Sequence, residues 1–183
     1  MMDASALPYK ENVRLTKMIT EMAHSMNVSV EAELGRLMTG EAGSEESLSK
    51  GKAEDFYTRP EEASEFCKET GIDALAIAFG TAHGFYSAQP KLDFDVVRNC
   101  AKATGIPLVM HGGSGVSDEG FKKVIECGIR KINYYSYMSK AGYEAAKSVI
   151  ESGETNYLHD VEYVAMLKMK EDVKKAISIF SNK

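Results

Sequence analysis

Short apolar runs alternate with amphipathic stretches along most of the chain. Residues 28–34 alternate at period two, which predicts a strand with Glu31 and Glu33 on one face. Residues 74–79 form a continuous apolar run, as in a buried parallel strand. Further strands are predicted at 106–110 and 129–133, and Met1–Met2–Asp3 reads as the end of another. Helical patterns cover 10–24, 60–70, 138–151 and 157–180, and two more run from Asp93 to Gly105 and from Ser117 to Gly128. Pro60 suits a first turn, Asp93 and Ser117 are caps, and Gly71, Gly105 and Gly128 are stops. This alternation predicts an α/β fold with a parallel sheet. Five strands suffice for a doubly wound sheet, whereas a closed (β/α)₈ barrel needs eight strands and about 250 residues. The link over 36–57, rich in Gly, Ser, Glu and Lys, is out of scale. Unstructured loops longer than about 12–15 residues are usually functional or disordered. This one follows a strand carrying two carboxylates, where a mobile active-site loop belongs.

Composition narrows the classes. The chain has 183 residues, 44% hydrophobic and 27% charged, as in an ordinary globular domain. A net charge of −5 offers no field for nucleic acid, so an anionic ligand needs a local trap. No apolar run approaches the roughly 20 residues that span a bilayer. Cys67, Cys100 and Cys127 form no CxxC motif and fall in helical patterns, which fits buried thiols in a reducing cytosol.

Candidate chemistry gathers after the strands. Gly80–Thr81–Ala82–His83–Gly84 and His111–Gly112–Gly113–Ser114–Gly115 each set a histidine among glycines at a strand end, where α/β active sites form. Two imidazoles so placed can converge on one ion, and neutral imidazole is a common zinc ligand. The alternative is two hydrogen-bonded structural histidines. The second glycine cluster precedes a helix, so its amides, the Ser114 hydroxyl and the helix terminus suit a phosphate; a tight strand–helix turn explains it equally simply. If Glu31 and Glu33 face inward they need a cation or a hydrogen-bond network; otherwise they face solvent on an edge strand.

Several motifs, taken in order, carry a resemblance. They are Val30–Glu31–Ala32–Glu33–Leu34–Gly35, Tyr57–Thr58–Arg59–Pro60–Glu61, the His83 segment continuing to Phe85–Tyr86, Pro90–Lys91–Leu92–Asp93–Phe94, and Pro107–Leu108–Val109–Met110 followed by the His111 segment. Over residues 1 to about 150 the chain resembles the class II fructose- and tagatose-bisphosphate aldolases. The resemblance implies one TIM (β/α)₈ barrel-type domain over 1–183, partial, with only strands four to eight present, and a C-terminal helical extension over 152–183. It implies that His83 and His111 are two of three histidine ligands to a catalytic Zn2+, and that Asp3 and Glu33 match acidic positions that hold a second cation. Gly84, Gly112, Gly113 and Ser114, and the stretch Asn133–Tyr134–Tyr135–Ser136, match the site for the dihydroxyacetone-phosphate half of a substrate. Glu41 is the nearest match to the loop glutamate that shuttles a proton, with Glu45 and Glu46 as rivals, because the loop departs from the family's Gly-Gly-x-Glu-Asp pattern.

Two further departures matter. The family's third zinc histidine and the neighbouring aspartate precede residue 1, and neither His24 nor His159 is placed to replace the histidine. Where the family often reads Asn-x-Asn/Asp-Thr, this chain has Asn133–Tyr134–Tyr135–Ser136, which unsettles the choice of sugar. The expected function is metal-dependent aldol cleavage of a ketose 1,6-bisphosphate, in the cytoplasm, as part of a longer or complemented chain. Expected partners are a phosphorylated sugar and either a second copy or a chain supplying the missing strands. The alternatives are a non-catalytic aldolase-like subunit that binds phosphate or a partner, and a phosphate-binding isomerase-type barrel without zinc.

Overall fold

The computed structural model describes residues 1–35, 38–39, 57–83 and 90–181, with the backbone alone for 38–39 and 82–83. Within it, the chain forms two compact units, Met1–Asn133 and Tyr134–Lys183.

The first unit runs α1 (Tyr9–His24), β1 (Glu31–Leu34), β2 (Met38–Thr39), α2 (Pro60–Thr70), β3 (Ala74–Ile77), β4 (Ala82–His83), α3 (Phe94–Thr104), β5 (Leu108–Met110), α4 (Asp118–Cys127) and β6 (Ile129–Ile132). Four strands make a parallel sheet in the order β1-β3-β5-β6. The predicted first strand shrinks to a single parallel bridge, Met2 to Ala32, on the free side of β1. The remaining strands are shorter than the apolar runs that predict them. Val30, for example, lies outside β1 because Asp73 closes a turn around it, taking its amide on Oδ2 at 2.7 Å. Helix ends follow the capping residues. The Asp93 carboxylate accepts from the amides of Asp95 and Val96, and the Ser117 hydroxyl from that of Gly120.

Residues alternate between the two faces of the sheet. Ala32, Leu34, Leu75, Ile77, Leu108 and Met110 form the core with Phe66, Val97, Phe121 and Val124 of the helices, which stack α1-α2-α3-α4 in chain order. The α1 face turned inward is mostly polar: Asn12, Thr16 and Thr20 are buried beside Val13, while Met18 and Met22 are exposed. Thr16 Oγ1 donates to Asn12 Oδ1 at 3.0 Å, and Asn12 Nδ2 donates to the Glu33 carbonyl at 3.0 Å. These bonds satisfy the buried groups.

Beyond Leu34 and Ala78 the sheet splits, and β2 pairs with β4 as a separate parallel pair. Thr58 fills the split. Its hydroxyl donates to the Leu34 carbonyl at 2.6 Å and accepts from the Ala78 amide at 2.8 Å, and its own amide donates to the Ala78 carbonyl. Gly35, at φ 96°, must be glycine here, since a Cβ would lie 2.6 Å from Thr58 Oγ1 and 2.8 Å from Ala78 Cβ.

In the second unit, α5 (Ser136–Ser152) packs along α6 (Leu158–Phe180). Gly142 allows the close approach: a Cβ there would stand 2.8 Å from Met169 Cγ. The Tyr134 hydroxyl donates to Asp172 at 2.7 Å, and its ring meets Phe180 edge-on. No described helix is long and apolar enough to cross a membrane.

Thr58 gives a direct test of this architecture. Thr58→Val keeps the shape but strands two buried backbone groups. It is expected to lower the unfolding free energy in urea by about 1–3 kcal/mol for each group left unpaired, whereas Thr58→Ser should retain most of the stability.

Candidate active site

One row of the sheet register runs Glu33, Ala76, Val109, Lys131. Glu31 precedes it by two residues on β1, and His111 and Asn133 follow it by two on β5 and β6. Alternation therefore places all five polar side chains on the face away from the helices. On β3, which separates β1 from β5, that face carries only Ala74, Ala76 and Ala78. Two strand spacings are about 10 Å, and these small residues leave room for the glutamates to reach the histidine across β3.

The contact is close. His111 Nδ1 lies 2.8 Å from Glu33 Oε2, and Nε2 lies 2.9 Å from Glu31 Oε1. His111 and Glu33 are each 3% exposed. Lys131 Nζ reaches the second Glu31 oxygen at 2.7 Å and Asn133 Oδ1 at 2.8 Å. On a flat sheet β1 and β6 would stand about 14 Å apart, further than a lysine and a glutamate reach together. The sheet is therefore curved, with the polar face concave. Glu33 Oε1 faces the Ser5 hydroxyl at 3.4 Å, and that hydroxyl donates to Asp3 Oδ1 at 2.7 Å. Asp3, Glu33 and His111 are thus brought into one network, and the inward orientation of the glutamates replaces the solvent-facing alternative.

Electrostatics follow the contacts. Burial alone would disfavour the imidazolium, but the hydrogen bonds and charges of Glu33 and Glu31 prevail and raise the His111 pKa. Burial would also raise Glu31; hydrogen bonds from Lys131 and His111, with their charges, outweigh it and lower its pKa. Among the described residues no set of three His, Cys, Asp or Glu stands ready-made around a metal, and carboxylates face both nitrogens of His111. The donor chemistry nonetheless fits a divalent cation. Two carboxylates flank the imidazole, and a third, the exposed Asp3, joins Glu33 through the Ser5 hydroxyl, so oxygen and imidazole donors lie together with a single lysine.

The other predicted site residues are distributed as follows. For His83 only the backbone is described; it pairs with Thr39 at the tip of β4. Glu41, its rivals Glu45 and Glu46, Gly84 and most of the 36–57 loop lie outside the described residues. Gly112, Gly113 and Ser114 link β5 to the capped N-terminus of α4, with Gly113 so close to the Phe121 ring that a Cβ would stand 3.2 Å away. Asn133 joins Lys131 in the network, whereas Tyr134, Tyr135 and Ser136 open the second unit, Tyr135 being 69% exposed. His24 pairs with Asp73 at the end of α1, and His159 stacks on Tyr157 on the surface of α6; neither joins the network. The need for a cation or hydrogen-bond network at Glu31 and Glu33 was legible in their alternation, but their partners Ser5 and Lys131 were not. A charged residue inside a four-residue strand was the available signal for Lys131.

The family model for class-II fructose-bisphosphate aldolase matches residues 1–183. The chain belongs to the class II fructose-bisphosphate aldolase family. Among solved structures, the YdjI aldolase from Escherichia coli K12 is 36% identical, with a TM-score of 0.82 over 98% of this chain and 60% of that one. A putative fructose-1,6-biphosphate aldolase from Coccidioides immitis is 30% identical, with a TM-score of 0.83 over 99% of this chain and 62% of that one. Fructose-bisphosphate aldolase from Campylobacter jejuni, at 19% identity and a TM-score of 0.76 over 98% of this chain and 59% of that one, shares the fold. This aldolase-family chain thus spans about 60% of the length of these structures, and its curved parallel sheet corresponds to part of their barrel.

The two shifted groups set a pH window for the metal-free protein. His111, raised above its ordinary 6.5, stabilises the fold fully below that pH and ceases to as pH climbs through the folded-state value. Glu31, lowered from 4.5, contributes above that pH and loses its contribution as pH falls through the folded value. Urea midpoints should therefore decline on both sides of the interval between 4.5 and 6.5, and His111→Gln should flatten the alkaline limb.

Proposed function

We propose that this chain carries the metal-binding and phosphate-binding part of a class II ketose-bisphosphate aldolase, a lyase acting in the cytoplasm. The parent or complemented protein cleaves a ketose 1,6-bisphosphate to dihydroxyacetone phosphate and an aldehyde. The observation that carries this reading is His111, held between Glu31 and Glu33 one residue before the Gly112–Gly113–Ser114–Gly115 turn. A metal donor and a phosphate cradle on adjoining residues suit a substrate whose ketone lies one carbon from a phosphate ester.

His111 and His83 would hold the Zn2+, and Asp3 with Glu33 would accommodate a second cation. When bound, zinc supplies Lewis-acid polarisation of the ketone. Gly84, Gly112, Gly113 and Ser114 bind the phosphate through amides and a hydroxyl, aided by the α4 N-terminus. The stretch Asn133–Tyr134–Tyr135–Ser136 contributes from the end of β6 onward. Glu41 is the leading candidate for carrying the carbon-bound proton. The mobile-loop role of 36–57, the helical extension at 152–183 and the homo-oligomeric state belong to the same proposal.

A second reading rests on the share of the relatives' length that the chain spans, and on β6 having no further strand partner among the described residues. It is a non-catalytic or half-barrel subunit that pairs with a chain supplying further strands.

Metal analysis of the purified chain, with and without an enediolate mimic of the phosphoglycolohydroxamate type, decides between these. About one zinc per chain, retained more tightly with the mimic and lost in His111→Ala, is the expected result. Cleavage of fructose bisphosphate by the isolated chain should be weak, rising by orders of magnitude once the missing strands are supplied. A chain without zinc or mimic affinity sinks the aldolase reading.

A further inference from the structure

The two carboxylates that flank His111 are not equivalent. Glu31 already has a cation: its Oε2 lies 2.7 Å from Lys131 Nζ. Glu33 has no cation besides the imidazole itself: its Oε2 faces His111 Nδ1, its Oε1 meets the Ser5 hydroxyl, which it shares with Asp3, and among the described residues neither Glu33 nor Asp3 is paired with lysine or arginine. A divalent ion on the Nε2 side would sit against the ammonium of Lys131. On the Nδ1 side it would meet uncompensated negative charge. Metal-ligating histidines commonly donate their other ring N–H to a carboxylate, which fixes the tautomer and the ring plane. Resting on the metal-centred reading above, we propose that Glu31, anchored by Lys131, is the positioning residue of this site. It accepts the Nε2 proton of His111 and leaves Nδ1, on the Glu33 and Asp3 side, to meet the cation.

Lys131 has two tasks in this arrangement. It neutralises Glu31, which makes that carboxylate a poor competitor for the ion, and it holds the acceptor oxygen in line with Nε2. The lysine itself is half-exposed, with 52% of its side chain accessible, so its replacement leaves the core intact.

Zinc affinity of the 183-residue chain, measured by competition with a chromophoric chelator, tests the proposal. Glu31→Gln is expected to weaken binding by about 10- to 100-fold. Lys131→Met should weaken it several-fold, and Lys131→Arg should restore it. Far-UV circular dichroism in the absence of metal checks that each variant is folded. Long-range 1H–15N correlation on the zinc-loaded wild type should show the remaining His111 proton on Nε2. A proton on Nδ1 overturns the assignment. So do folded Glu31→Gln and Lys131→Met chains that bind zinc as tightly as wild type. If Glu31→Gln fails to fold, Lys131→Met and the ring-proton position decide. A wild-type chain that takes up no zinc defeats the metal-centred reading and this one together, whereas normal wild-type binding with unaffected variants defeats this one alone.

Discussion

An imidazole held between a buried carboxylate, Glu33, and a partly buried one, Glu31, is the constraint around which the first unit is arranged. Buried charge costs several kcal/mol per ion unless it is paired and hydrogen-bonded. His111 and Glu33 are both almost wholly enclosed, so each requires the other. Removing either partner alone leaves an unsatisfied charge, which is costlier than never having built the pair. The demand propagates outward. The strand between them must carry small residues, the sheet must curve, and Lys131 must arrive from the far edge to balance Glu31.

That arrival depends on an irregularity. Leu108 pairs with Ile129, but Val109 pairs with Lys131, so Arg130 is an extra residue on β6. In a regular ladder Ile129 and Lys131 would share one face. Ile129 is fully buried in the core, and regular pairing would send Lys131 there too. The shift reverses the alternation at one step and turns Lys131 and Asn133 toward the polar face. Thr58 does related work at the other end of β1 and β3, where its hydroxyl joins two strands that have begun to separate. Both devices serve the strand ends at which the family places its chemistry.

The network also links the metal question to the substrate question. His111 follows the last residue of β5 and Gly112 begins the turn toward α4, so the imidazole and the glycine-rich turn are covalently adjacent. The same face bears Asn133, the first residue of the stretch in which this chain departs from the family pattern. Lys131 bonds both Glu31 and Asn133, so that stretch begins at a residue tied to the network around His111.

Much of the fold was legible in residue order. Apolar runs marked the parallel strands, Pro60, Asp93 and Ser117 marked helix starts, and glycines marked their ends, because these are local effects of backbone geometry and capping. The strand-end setting of His111 and the inward pairing option for Glu33 were legible too, because period-two alternation and flanking glycines are visible locally. Helix α1 shows where such reading stops: its apolar methionines lie outside and its Asn12–Thr16–Thr20 stripe lies inside. Hydropathy cannot anticipate a polar face whose hydrogen bonds are made to a strand twenty residues away. The sequence by itself determined the helices, the four strands of the main sheet and their order, but not the short β2–β4 pair, whose two-residue strands carry no period. Tertiary structure alone decided that Glu31 turns inward, that Lys131 reaches across two strands to meet it, and that the two sides of His111 differ. Those facts depend on register, curvature and a one-residue shift, which are properties of paired strands and of no single segment.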